Sequence, residues 1–156
     1  MTNWLTPEEQ RSWRAWLNAT QMLSDRLNRD LTTQHDLTLT DYEILVQLSE
    51  HPERRLRMSE LADRTGFSRS RLTHQIDRMA DAGLVERQQC TEDRRGSFAV
   101  LTEIGWQTIV KAAPDHVASV RENLVDLLGP TAFAQLGKAC SAIVERQMQA
   151  GAQPRA

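Results

Sequence analysis

Positions 68–78 concentrate side chains that can donate hydrogen bonds. Ser68, Arg69, Ser70, Arg71, Thr73, His74 and Arg78 are interleaved with Leu72, Ile76 and Met79. The apolar three fall at helical spacing, so the polar set occupies the opposite face. Arginine can grip guanine through two parallel bonds, and short hydroxyls adapt to either base edge. Ser68, Ser70 and Thr73 are small enough to let a helix approach a groove floor. A helix over 68–82 is about 20 Å long at about 1.5 Å per residue. That length fits a major groove roughly 12 Å wide. The chemistry implied is recognition of duplex nucleic acid rather than catalysis.

A second group of donors lies at Asp93, Arg94 and Arg95. It falls between two strand-like runs, Leu84 to Gln88 and Ser97 to Leu101, so it reads as the tip of a hairpin. Arginines on such a tip suit a narrow minor groove with its strong negative potential. Asp93 would repel phosphate if free and is expected to pair with a tip arginine and orient it.

The elements that must position these groups can be read from caps and periodicity. Thr6-Pro7-Glu8-Glu9 is a capping box with proline at the first helical position. Trp13, Trp16, Leu17, Thr20, Leu23, Leu27 and Leu31 then follow on one face, predicting a helix over 7–33. Thr40-Asp41-Tyr42-Glu43 reads as a second capping box, with Ile44, Leu45 and Leu48 inward and an end near His51-Pro52. The stretch Glu53 to Arg57 reads as a basic link. A short helix over 58–64 and the break Thr65-Gly66-Phe67 precede the helix capped by Ser68, which Gly83 closes. Two helices around a tight turn form a helix-turn-helix, and the hairpin makes it winged.

After Thr102, Trp106, Val110, Ala113, Val117, Val120, Leu124 and Leu127 alternate at spacings of four and three, a heptad seam. Pro114 lies inside it and predicts a kink or break. Gly129-Pro130 should end that helix and start another, striped by Phe133, Leu136, Cys140, Ile143 and Met148. The fold expected is mainly α with a small β-hairpin wing: a winged helix-turn-helix over 40–101, flanked by dimerisation helices over 7–33 and 102–150. A two-fold homodimer would set two recognition helices about 34 Å apart on a pseudo-palindrome.

Composition fits that reading. The chain has 156 residues and a net charge of −2, yet between Arg54 and Ser97 ten arginines face seven carboxylates. That segment carries +3 and the remainder −5, the polarity of a DNA reader held by a scaffold that does not touch DNA. No apolar run approaches the roughly 20 residues of a membrane span. No basic stretch followed by an apolar one opens the chain, so no secretory leader is expected. Cys90 and Cys140 form no CxxC pair, which suits a reducing compartment. The expected setting is the cytoplasm, on the nucleoid when DNA is bound, with no membrane partner. His35, His51, His74 and His116 lack ligand spacing, and no glycine-rich phosphate loop or nucleophile motif occurs. No metal, cofactor or enzymatic activity is expected.

The chain resembles the MarR family of winged helix-turn-helix regulators. The resemblance is carried by Met58-Ser59-Glu60-Leu61-Ala62, by Ser68-Arg69-Ser70-Arg71-Leu72-Thr73 and by Met79-Ala80-Asp81-Ala82-Gly83-Leu84-Val85-Glu86-Arg87. Its most specific part is Asp93-Arg94-Arg95-Gly96 running into Leu101-Thr102-Glu103-Ile104-Gly105. The resemblance implies an obligate dimer with interlocked terminal helices. It also implies repression relieved by a small aromatic or phenolic effector or by thiol oxidation. For an effector crevice it points to Trp13, Trp16, Thr20, Tyr42 and Trp106. For oxidation it points to Cys90, read as exposed beside the wing with Arg87 and Arg94 near it, whereas Cys140 reads as a buried small hydrophobe. A rival of another class is a winged helix that binds protein instead of DNA.

Overall fold

The computed structural model describes residues 2–90 and 96–151. The chain order is α1 (Pro7–His35), α2 (Leu39–Glu50), β1 (Arg55–Arg57), α3 (Met58–Thr65), α4 (Arg69–Asp81), β2 (Val85–Gln89), β3 (Ser97–Leu101) and α5 (Glu103–Val120). A π-helical turn, Arg121–Val125, and α6 (Asp126–Gly151) complete it. This is the mainly helical winged helix-turn-helix with flanking helices that the sequence predicts. The chain divides into two compact units, Met1–His116 and Val117–Ala156.

In the first unit, side-chain caps fix where the helices begin. Thr6 Oγ1 accepts from the Glu9 N–H at 3.2 Å, and the Thr6 N–H donates to Glu9 Oε2 at 2.7 Å. Those bonds hold the Glu9 carboxyl below the usual carboxylate range. The second cap differs from expectation: Thr38, not Thr40, starts α2, with Asp41 as its reciprocal partner. Starting two residues earlier buries Leu37 before the cap and Tyr42 after it, both in the core. That is the hydrophobic-staple arrangement, and the later start would forgo it. Ser68 caps α4 as predicted, its Oγ accepting from the Arg71 N–H at 3.2 Å. At the other end, Gly83 takes φ 74°, and its N–H donates to the Ala80 carbonyl at 2.9 Å. A side chain would strain that left-handed conformation.

The basic link predicted before α3 is partly a strand. Arg55, Leu56 and Arg57 pair antiparallel with Val100, Ala99 and Phe98, so the sheet has three strands in the order β1-β3-β2. Alternation explains it: Leu56 is buried while Arg57 faces solvent. Leu56, Val85, Ala99 and Leu101 cover one side of a core built from Ile44, Leu45, Leu48, Leu61, Leu72, Ile76 and Met79.

Thr102 joins the wing to α5. Its N–H donates to the Leu84 carbonyl at 3.2 Å and its hydroxyl donates to the Gly83 carbonyl at 2.7 Å. The same oxygen accepts from the Gly105 N–H at 3.0 Å. The inward face of α5 is Gly105, Ile109 and Ala112. The predicted seam therefore runs one residue off the buried stripe, and Val110 is 49% exposed.

Pro114 does not break α5, which continues to Val120. The carbonyl that loses its N–H partner belongs to Val110, and Val110 and Pro114 are both exposed, so water can take the free acceptor. In the second unit the ladder loosens at the π turn, where Asn123 Nδ2 donates to the Ser119 carbonyl at 2.8 Å. Gly129, at φ 73° and ψ 168°, interrupts α6 before Pro130, where the sequence places a helix junction.

His116 gives a testable electrostatic consequence. Its ring lies 4.3 Å from that of Tyr42, its Nδ1 is buried without a partner, and burial lowers its pKa from the ordinary 6.5. Below about pH 6.5 the unfolded chain takes up a proton that folded His116 resists. This contribution to stability is constant above that pH and is lost as pH falls toward the lowered folded value. His116→Phe keeps a ring against Tyr42 and cannot titrate. Urea midpoints for the parent should drop more between about pH 7 and 5.5 than those of the variant. Parallel curves would show that His116 is not the proton-linked group.

Candidate nucleic-acid interface

The outward face of α4 is displayed by burying its opposite. Leu72, Ile76 and Met79 are at most 1% exposed. Ser68, Arg69, Ser70, Arg71, His74 and Arg78 are exposed, and Thr73 is half-buried. Six of the seven residues read as the polar face are thus exposed and one is half-buried, but their freedom differs. Arg69 has no acidic partner among the described residues. Arg71 rests its guanidinium 4.1 Å from the Phe67 ring centre, a cation–π contact that narrows its rotamers. Across from it, the Glu43 carboxyl is pushed up by partial burial, with the Arg71 charge pulling it back. Ser68 is committed to the helix cap.

Arg78 departs furthest from the sequence reading. Its Nη2 donates to Asp41 Oδ1 at 3.1 Å, and Gln75 Nε2 donates to the same oxygen. Asp41 Oδ2 accepts from the Thr38 N–H at 2.9 Å and from the Thr38 hydroxyl at 2.6 Å. Asp41 is 7% exposed, so this carboxylate is a nearly buried node joining the α2 cap to the last turns of α4. Arg78 serves first to brace the recognition helix. Nothing in the local sequence pairs positions 41 and 78.

A second brace runs from α4 to the wing. Arg87 on β2 donates to Asp77 Oδ1 at 2.8 Å and to Ser97 Oγ at 3.4 Å. Between the two lies a groove of about 450 Å³ whose walls include Arg57, Ser59, Arg69, Thr73, Arg87 and Ser97. Of these, sequence reasoning selected only Arg69 and Thr73; the others come from four separate elements. Asp93, Arg94 and Arg95 lie outside the described residues.

The five residues indicated for an effector crevice are split rather than gathered. Trp13 and Trp16 are exposed on α1, and the Thr20 hydroxyl donates to the Trp16 and Leu17 carbonyls of its own helix. Tyr42 is a core residue whose phenol burial pushes up. Trp106 packs against the core beneath the Arg54 guanidinium, 3.9 Å from its ring centre. Cys90 departs from its expected exposure. Cys90 is 5% exposed, with its N–H bonded to the Gly96 carbonyl at 3.0 Å. A sensor thiol needs access, and burial removes it. Cys140 is half-buried on α6. Among the described residues no cluster of side chains could hold a metal ion, and no helix is long and apolar enough to cross a membrane.

Comparison with known proteins decides the family. A family model described as MarR family matches residues 35–96. The solved structure of AbsC, a MarR family transcriptional regulator from Streptomyces coelicolor, is 51% identical over 95% of this chain and 99% of that one, with a TM-score of 0.90. The chain belongs to the MarR family. A second MarR-family regulator from the same organism, Sco3205, is 40% identical over 99% of this chain and 93% of its own, with a TM-score of 0.91. The transcriptional repressor YetL of Bacillus subtilis is 32% identical over 88 residues, so the match spans about half of this chain and 53% of YetL. These relatives are all named transcriptional regulators, and this MarR-family chain shares their winged-helix architecture. The motif Leu101-Thr102-Glu103-Ile104-Gly105 now has a physical meaning: Thr102 stitches the wing to α5, and Gly105 lets the backbones meet.

Proposed function

We propose that this MarR-family chain is a sequence-specific regulator that binds double-stranded DNA as a homodimer on a pseudo-palindromic operator, acting as a repressor in the cytoplasm. The observation that carries the reading is the outward face of α4, whose apolar side is fully buried while Arg69, Ser70, Arg71 and His74 stand exposed. Sco3205, the 40% identical relative, was solved in complex with DNA, and YetL is named a repressor. Ser68–Ala82 enters the major groove in this reading, and the Asp93–Arg95 tip approaches the minor groove.

Dimerisation through 7–33 and 102–150 is supported by apolar side chains left uncovered on the single chain. Trp13 is 50% exposed, Val117 53% and Leu127 76%. Each would lose contact with water in a helical interface, at about 25 cal/mol per Å² of apolar surface. An aromatic effector finds support only along the Trp13, Trp16 and Thr20 side of α1, because Tyr42 and Trp106 are committed to core contacts.

Selection from a pool of randomised duplexes tests the reading. It should return a pseudo-palindrome bound by a dimer, with affinity falling steeply as salt rises. Arg71→Ala should cost about 1–3 kcal/mol on the selected site and relax preference at one position in each half. Recovery of no sequence preference, or parental affinity and selectivity in Arg71→Ala, would overturn this placement of the reading surface.

A further inference from the structure

We infer that strand β1 belongs to the DNA-binding surface: Arg57, with Arg69 across the groove, forms a seat for one backbone phosphate of the duplex. This rests on the DNA-binding reading above and adds a contact to it. The groove of about 450 Å³ is walled by β1 and α3 through Arg57 and Ser59, by α4 through Arg69 and Thr73, and by the wing strands through Arg87 and Ser97. Three arginines line this one concavity.

The three are not equivalent. Arg87 is neutralised by Asp77 at 2.8 Å. Arg57 and Arg69 have no acidic partner among the described residues. Among the described residues Arg57 rests on the Phe98 ring, 5.4 Å away, and Arg55 stacks on the same ring at 4.9 Å. A cation parked on an aromatic face keeps its N–H donors free, which suits a phosphate ligand. The hydroxyls of Ser59, Thr73 and Ser97 supply further donors of the kind that position a protein on a duplex without reading its sequence. The groove borders the exposed face of α4, so its anion is a phosphate beside the major groove that the helix enters. Arg87 is a positioning residue in this scheme, and Arg57 and Arg69 are the ligands.

Phosphate contacts are independent of sequence, so a mixed-sequence duplex of about 30 base pairs, two half-sites long, serves as the probe. Anisotropy titrations at several salt concentrations give the slope of log affinity against log salt. Each phosphate contact contributes about −0.9 to that slope. Arg57→Gln should weaken binding and make the slope shallower by at most about 0.9 per protomer, because Arg69 alone holds the shared phosphate less completely, and Arg57→Lys should keep the parental slope. Asp77→Asn frees Arg87 toward the same phosphate and should tighten binding. A parental slope in Arg57→Gln, an equal loss in Arg57→Lys, or an unchanged affinity in Asp77→Asn each overturns the seat. If the parent protein itself binds no duplex, the failure belongs to the proposed function instead.

Discussion

Gly105→Ala is expected to destabilise the fold by about 3 kcal/mol or more, at or above the upper end of overpacking effects. A Cβ at Gly105 would lie 2.1 Å from the Leu84 carbonyl oxygen and 2.8 Å from Leu101 Cδ1. The oxygen is backbone, held by the bonds from Thr102, so it cannot swing aside. Helix propensity alone predicts the opposite sign, since alanine is favoured over glycine inside a helix by about 1 kcal/mol. The two effects compete at one position, and the close approach should win. Thermal melts should show a fall of roughly 6–12 °C for a chain of this size. A neutral or raised melting temperature would mean that α5 can move off Leu84 freely. In that case the Leu101–Gly105 motif is not explained by close packing.

Asp41→Ala should cost about 2–4 kcal/mol, from a lost capping box together with partly solvent-screened bonds to Gln75 and Arg78. It should also weaken DNA binding, although Asp41 touches no groove in the proposed arrangement. The carboxylate accepts from the Thr38 N–H and hydroxyl on one side and from Gln75 and Arg78 on the other. Its removal frees the start of α2 and the last turns of α4 together. Arg78→Ala tests the division of labour, because the Arg78 side chain is 59% exposed and its ion pair is well screened. That variant should lose less than about 1 kcal/mol of stability. Urea unfolding and duplex titration on both variants check this. If Arg78→Ala costs as much stability as Asp41→Ala, the ion pair rather than the cap holds the node.

Much of this was legible in the chain itself, for local reasons. The Thr6 and Ser68 caps, the Gly83 stop and the Gly129 junction depend on atoms within a few residues of each other. The apolar face of α4 follows from the spacing of Leu72, Ile76 and Met79. Two readings failed because competing local signals were equal. Thr38 and Thr40 both open a cap-like pattern, and the burial of Leu37 and Tyr42 chose between them. Arg55-Leu56-Arg57 is too short to distinguish a link from a strand, and pairing with β3 made it a strand. Cys90 looked accessible beside a polar loop, yet it sits at the strand end where the wing closes.

The sequence by itself determined the order of the helices, the hairpin of β2 and β3, the exposed chemistry of α4 and the family resemblance, because periodicity, caps and motifs are short-range properties. Only the tertiary structure decided which arginines are free. Asp41 lies 37 positions from Arg78, and Asp77 lies 10 from Arg87. The charge state of a surface depends on such partners, and no local pattern encodes them. The groove uniting Arg57, Arg69 and Arg87 exists for the same reason: one core draws β1, α4 and β2 together, and their solvent-facing sides then fall side by side.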